Sequence, residues 1–142
     1  MRATKVGVGL LVFGLAIQLV PVPRDNPPVE SEVPATEAVR SILRSSCYDC
    51  HSNESRWPWY AHVAPASWLV AYDVHEAREH MNFSSWARYD AKKQAKHLEE
   101  VWEEVEEGEM PLFYYLWFHP DAKLSASDRR ALHDWSRAGR DD

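Results

Sequence analysis

The sequence predicts an all-α fold, and three observations carry that prediction. Apolar residues recur at helical spacing in four stretches of the chain, capping residues stand at the borders of those stretches, and nowhere do apolar and polar residues alternate as in a half-buried strand. Beyond the N-terminal segment the chain has the size of one small domain, with no internal repeat and no second linker.

The first element is the N-terminal segment. Arg2 and Lys5 precede an apolar run from Val6 to Val20 that is interrupted by Gln18, the layout of a secretory signal or a signal anchor. As a helix those residues span about 22 Å, short of a ~30 Å hydrocarbon core. No small-x-small cleavage site lies where a peptidase needs one. Residues 1–22 are therefore read as a signal peptide or uncleaved membrane anchor, with the remainder exported to the periplasmic side of the cytoplasmic membrane. Between Pro21 and Pro34 stand five of the nine prolines, so residues 23–35 read as a stiff tether. Residues 36–142 form the folded domain.

Within that domain Thr36 caps a helix running to Ser46, with Glu37 in its first turn and Val39, Ile42 and Leu43 on one side. Arg56-Trp57-Pro58-Trp59-Tyr60 reads as a loop. After Pro65 a helix to about His80 places Trp68, Leu69 and Tyr72 on its apolar stripe. A further helix, Ala91 to Glu107, aligns Ala95, Leu98, Val101, Trp102 and Val105 and stops at Gly108. The last begins at the Ser125 cap with Asp128 three residues on, turns Leu132 and Trp135 inward, and ends at Gly139. In the preceding helix, Glu104, Glu106 and Glu107 crowd a C-terminus where the macrodipole disfavours negative charge. The sequence alone does not say what offsets them.

Excluding Arg2 and Lys5, 14 basic residues face 22 acidic ones, which excludes nucleic acid as a partner class. Much of the excess is the run Glu99, Glu100, Glu103, Glu104, Glu106, Glu107 and Glu109. It reads as a solvated helix face, or as a patch that steers a redox partner with a basic surface.

The chemistry is concentrated in Cys47-Tyr48-Asp49-Cys50-His51. Two thiols three residues apart, followed directly by a histidine, have the spacing of a c-type haem attachment site: each sulfur can form a thioether to a vinyl group, and the imidazole comes under the iron. Three other uses compete. A thioredoxin-like pair belongs in a βαβ unit, which this chain lacks. A zinc site would have to recruit two of the scattered histidines, since the chain has only two cysteines. A local disulfide would suit an oxidising compartment.

A haem iron on His51 has a second axial face. Met110, in the non-helical Gly108-Glu109-Met110-Pro111, can offer a thioether there, and its other reading is a core methionine. The histidines His62, His75, His80, His97, His119 and His133 compete for the same position, with His75 and His80 first because they lie on a helix rich in apolar residues.

Taken together, Cys47 to His51, the distance to Met110-Pro111 and the helix from Ser125 to Trp135 resemble a small class I cytochrome c. More narrowly the chain resembles the bacterial haem-binding domain family. The resemblance runs through Arg56 to Trp68, Asn82-Phe83-Ser84-Ser85-Trp86, Gly108 to Pro111 and His119 to Ser125. It implies a cytochrome c-like helical domain wrapped around covalent haem c, joined to Cys47 and Cys50, with His51 as proximal iron ligand and Met110 as distal ligand. Ala77-Arg78 departs from the family pattern, which often has glycine before the arginine. The expected activity is electron transfer by a membrane-tethered carrier rather than catalysis, with Trp57, Trp59, Trp68 and Trp86 walling the macrocycle. A haem-based sensor or a peroxidase-like module with an open sixth site is the alternative.

Overall fold

The computed structural model describes residues 2–141 and is helical, with six α-helices and no strand among the described residues. α1 spans Arg2–Ala16, α2 Glu37–Ser46, α3 Tyr48–His51, α4 Ala66–His80, α5 Ala91–Glu107 and α6 Ala126–Asp141.

The local signals explain most boundaries. Thr36 Oγ1 accepts the Val39 N–H at the start of α2, and Asp90 accepts the Lys93 N–H at 2.8 Å at the start of α5. Gly108 closes α5 with φ at 79°, a left-handed conformation that glycine adopts without a Cβ penalty. Ser125 and Asp128 form a reciprocal capping box before α6: the Ser125 N–H donates to Asp128 Oδ2 at 2.8 Å, and the Asp128 N–H donates to Ser125 Oγ at 3.2 Å.

The core lies where α2, α5 and α6 meet the segment after α4, and joins Val39, Leu43, Tyr48, Phe83, Trp86, Leu98, Val101, Val105 and Leu132. α6 does not end at Gly139 as expected. That glycine sits inside the helix, which runs on to Asp141, and a Cβ there would lie 2.6 Å from Leu98 Cδ1, so α6 comes close to α5 at this point. On α4 the expected stripe is also displaced. Ser67, Ala71 and Val74 are buried, whereas Trp68, Leu69 and Tyr72 are exposed.

The N-terminal run is helical only to Ala16, and a 3-10 turn over Ile17–Leu19 follows. Among the described residues no helix is long and apolar enough to cross a membrane. Gln18, the one polar break in the run, pairs with the Ala64 backbone: its Nε2 donates to the carbonyl at 3.1 Å and its Oε1 accepts the N–H at 2.9 Å. The proline-rich segment lies along the domain as a strap. Glu30 and Ser31 both donate backbone N–H groups to the Ser84 carbonyl, Arg24 reaches the Ala61 carbonyl, and Val33 is buried in the core.

Candidate functional site

α3 is a single turn wedged between α2 and the loop at Ser52. The Cys47 N–H closes α2 by donating to the Leu43 carbonyl at 2.9 Å, while the Cys47 carbonyl accepts from Cys50 at 3.2 Å and from His51 at 2.9 Å. This turn brings Cys47, Cys50 and His51 onto one cavity of about 520 Å³, within the roughly 300–1,000 Å³ usual for small-molecule and cofactor sites. Both cysteines are free and half-buried. Burial pushes each thiol up to about 12, reinforced at Cys47 by its neighbour Cys50 and at Cys50 by Asp73 and Asp49.

His51 is oriented by the segment after α4. Its Nδ1 lies 3.1 Å from the Met81 carbonyl oxygen. A carbonyl only accepts, so Nδ1 carries the proton and Nε2 keeps its lone pair. Burial lowers the imidazole pKa, and the bond to Met81 offsets part of that. The Phe83 N–H donates to the His51 carbonyl at 2.8 Å, and the two rings meet edge to face. Ring and backbone of His51 are thus held by one short stretch, Met81 to Phe83.

The loop beyond His51 is held by buried polar groups. Ser52 Oγ donates to the Tyr48 carbonyl at 2.7 Å and accepts from the Glu54 N–H at 3.0 Å, and the Asn53 N–H donates to Ser84 Oγ at 2.9 Å. Arg78 on α4 ties this loop to the strap. Its Nε donates to the Ser52 carbonyl at 2.8 Å, and its two Nη atoms reach the Asp25 carbonyl at 2.9 Å, Asn26 Oδ1 at 2.9 Å and Ser55 Oγ at 3.0 Å. Five donors in a rigid fork suit such a junction.

Met110 reaches the same cavity from the turn after α5. With Gly108 in its left-handed conformation, the Glu109 and Met110 N–H groups both donate to the Glu104 carbonyl, at 3.0 and 3.1 Å. The crowded glutamates at this helix end have a counter-charge. Arg129 of α6 donates to the Val105 carbonyl at 2.5 Å and to the Glu106 carbonyl at 3.2 Å, placing a guanidinium at the negative end of the macrodipole.

The two competing histidines separate. His75 is exposed, lies 3.5 Å from Glu79 and is not part of the cavity lining; His80 lines the cavity edge, 3.5 Å from Glu100. His119, whose place was not apparent from the sequence, also lines the cavity. Its Nε2 pairs with the Tyr60 hydroxyl at 2.6 Å, and its ring stacks on Tyr115 at 4.1 Å. The Tyr115 hydroxyl donates to Asp49 Oδ2 at 2.9 Å, and Arg56 Nε donates to Asp49 Oδ1 at 3.1 Å. Asp49, inside the Cys-x-x-Cys pair, therefore fastens the segment carrying Tyr115 and His119. Burial and the Asp49 carboxylate hold the Tyr115 phenol above its ordinary pKa.

The tryptophan wall differs from expectation. Of Trp57, Trp59, Trp68 and Trp86, only Trp57 lines the cavity; Trp117 joins it. Trp59 and Trp68 are exposed, and Trp86 is buried against Phe83 in the core.

Residues 12–138 match the haem-binding domain family. No curated protein and no solved structure matches the chain. The cavity's chemistry fits a haem: two thiols, an imidazole whose Nδ1 is bonded to the Met81 carbonyl so that Nε2 is unprotonated, and a methionine stand on walls built largely from apolar side chains such as Leu69, Val70, Val74 and Leu112. The Trp57 Nε1–H is buried there without a partner, a donor that a haem carboxylate would satisfy.

Proposed function

We propose that this chain, which belongs to the haem-binding domain family, carries a covalent haem c and works as an electron carrier on the periplasmic side of the cytoplasmic membrane. One observation carries the reading: Cys47, Cys50 and His51 share a cavity, and the Met81 carbonyl fixes the His51 tautomer so that Nε2 is the free donor atom. Cys47 and Cys50 would hold the haem by thioethers, each S–H adding across one vinyl group. His51 Nε2 and the Met110 sulfur would be the protein ligands of the iron. Bound in this way, haem supplies a one-electron couple at its iron. The methionine sulfur and the apolar walls favour the reduced form and raise the potential.

Support for export and attachment comes from α1, whose Leu10, Leu11, Phe13 and Leu15 are exposed apolar residues. The glutamates on α5 are exposed except Glu100, and supply the field that steers a basic redox partner.

The test is a pyridine haemochrome spectrum together with intact mass, on protein matured in a host that attaches haem. A c-type spectrum and a mass increase of one haem are expected. Colourless protein with the mass of its amino acids overturns the reading. In the coloured protein, six-coordinate low-spin iron supports the carrier, whereas high-spin iron that binds carbon monoxide favours a sensor or peroxidase-like module.

A further inference from the structure

At the cavity wall, where His80 and Glu100 are both lining residues, three side chains that the proposed haem ligation does not use converge. His97 and Glu100 stand one turn apart on α5, and His80 ends α4 opposite them. His97 Nδ1 lies 2.9 Å from Glu100 Oε2, His80 Nε2 lies 3.5 Å from the same oxygen, and the three donor atoms all fall within 4.8 Å of one another. The two imidazole rings have centroids 5.9 Å apart.

His97 is an unusual residue to bury as deeply as this, at 3% exposure. Tyr89 packs edge to face on its ring at 4.7 Å, and Trp86 lies at 6.2 Å, so the ring is locked in place. Its Nε2 is buried with no hydrogen-bond partner, so burial of this ring is unfavourable compared with an apolar ring of the same shape. The locked ring fixes the other nitrogen, Nδ1, beside Glu100. Glu100 Oε1 meets Lys96 at 3.1 Å, but Lys96 is exposed and that ion pair is readily exchanged.

We infer that His80, His97 and Glu100 form a binding site for a divalent first-row transition metal of the zinc class, separate from the haem iron. Two imidazoles and one carboxylate are the ligand set of an open zinc site whose fourth position is left to water. Ligand bonds of about 2.0–2.2 Å in a tetrahedron place donor atoms roughly 3.4 Å apart. The His80 to Glu100 separation already meets that value, and the His97 to Glu100 hydrogen bond has to open by about half an ångström. His97 supplies the rigid member of the set. His80, 63% exposed on its side chain, supplies the one that closes over the ion. His80 also precedes Met81, whose carbonyl orients His51, so a bound metal stiffens the backbone that holds the proximal imidazole.

The experiment compares zinc content per full-length chain, with or without haem, for wild type, His80→Ala, Glu100→Gln and His75→Ala after equilibration with micromolar zinc and gel filtration. Zinc held by Cys47, Cys50 or His51 is common to all four and cancels in the comparison. Wild type and His75→Ala are expected to retain about one zinc per chain more than His80→Ala and Glu100→Gln, whose affinity falls at least tenfold. Zinc is also expected to raise the melting temperature of wild type and His75→Ala by more than that of His80→Ala. His80 is exposed, so its replacement leaves the fold intact. Equal zinc in wild type and His80→Ala, or a loss confined to His75→Ala, overturns the site.

Discussion

Arg78→Met offers the sharpest test of how the strap and the Cys-x-x-Cys-His loop are joined. The substitution keeps the aliphatic stem and removes four hydrogen bonds, of which those to the Ser52 carbonyl and Ser55 Oγ are partly buried and those to Asp25 and Asn26 are exposed. Charged donors net about 1.5–3 kcal/mol per fully shielded bond; the two partly buried ones keep roughly two-thirds of that and the exposed pair adds little, so the sum is about 2–4 kcal/mol. At an unfolding entropy of about 2.1 cal/mol/K per residue, that lowers the melting temperature by about 7–13 °C. Far-UV circular dichroism measures the shift. Limited trypsin digestion reads the local consequence, because a released strap presents Arg24 for cleavage before the domain unfolds. Arg88→Ala is the reference: its pairing with Glu30 is exposed, and its loss costs no more than about 1 kcal/mol. If Arg78→Met melts with Arg88→Ala and Arg24 stays protected, the strap is held by something other than this guanidinium.

Other outcomes rest on the same geometry. In haem-loaded protein, Met110→Ala abolishes the sulfur-to-iron charge-transfer band of the oxidised spectrum while His75→Ala leaves it intact; a band that survives Met110→Ala removes methionine from the iron. Arg129→Met uncaps α5 and costs about 1–3 kcal/mol by denaturant titration, since two carbonyl partners and the favourable charge at the helix end go together; a change of no more than a few tenths of a kcal/mol refutes the capping role. In chain produced without haem, thiols raised from 9.0 to about 12 alkylate on the order of a thousand times more slowly at pH 8 than an open cysteine. Because the folded state holds those protons more tightly, its advantage is complete below pH 9 and is lost as pH rises from 9 towards 12. Rapid alkylation at pH 8, or stability unchanged across that window, contradicts the burial of the two sulfurs.

The parts of this protein that were legible from residues alone are those whose physics is local. Thr36, Gly108 and the Ser125 to Asp128 box mark helix ends because capping acts within three or four residues, and the spacing of Cys47, Cys50 and His51 puts all three on one cavity because they share a single helical turn. Periodicity tells that a helix has an apolar face but not what meets it, which is why the α4 stripe of Trp68, Leu69 and Tyr72 turned out exposed and the small residues Ser67 and Ala71 turned inward. Gly139 read as a stop signal because its clash partner, Leu98, belongs to another helix. The contacts that hold the strap leave no trace in its own composition: Arg78 stands 53 residues from the Asp25 carbonyl it holds. Likewise the free Nε2 of His51 depends on a carbonyl 30 residues away. Backbone acceptors are present at every residue, and folding alone selects which of them faces a given side chain.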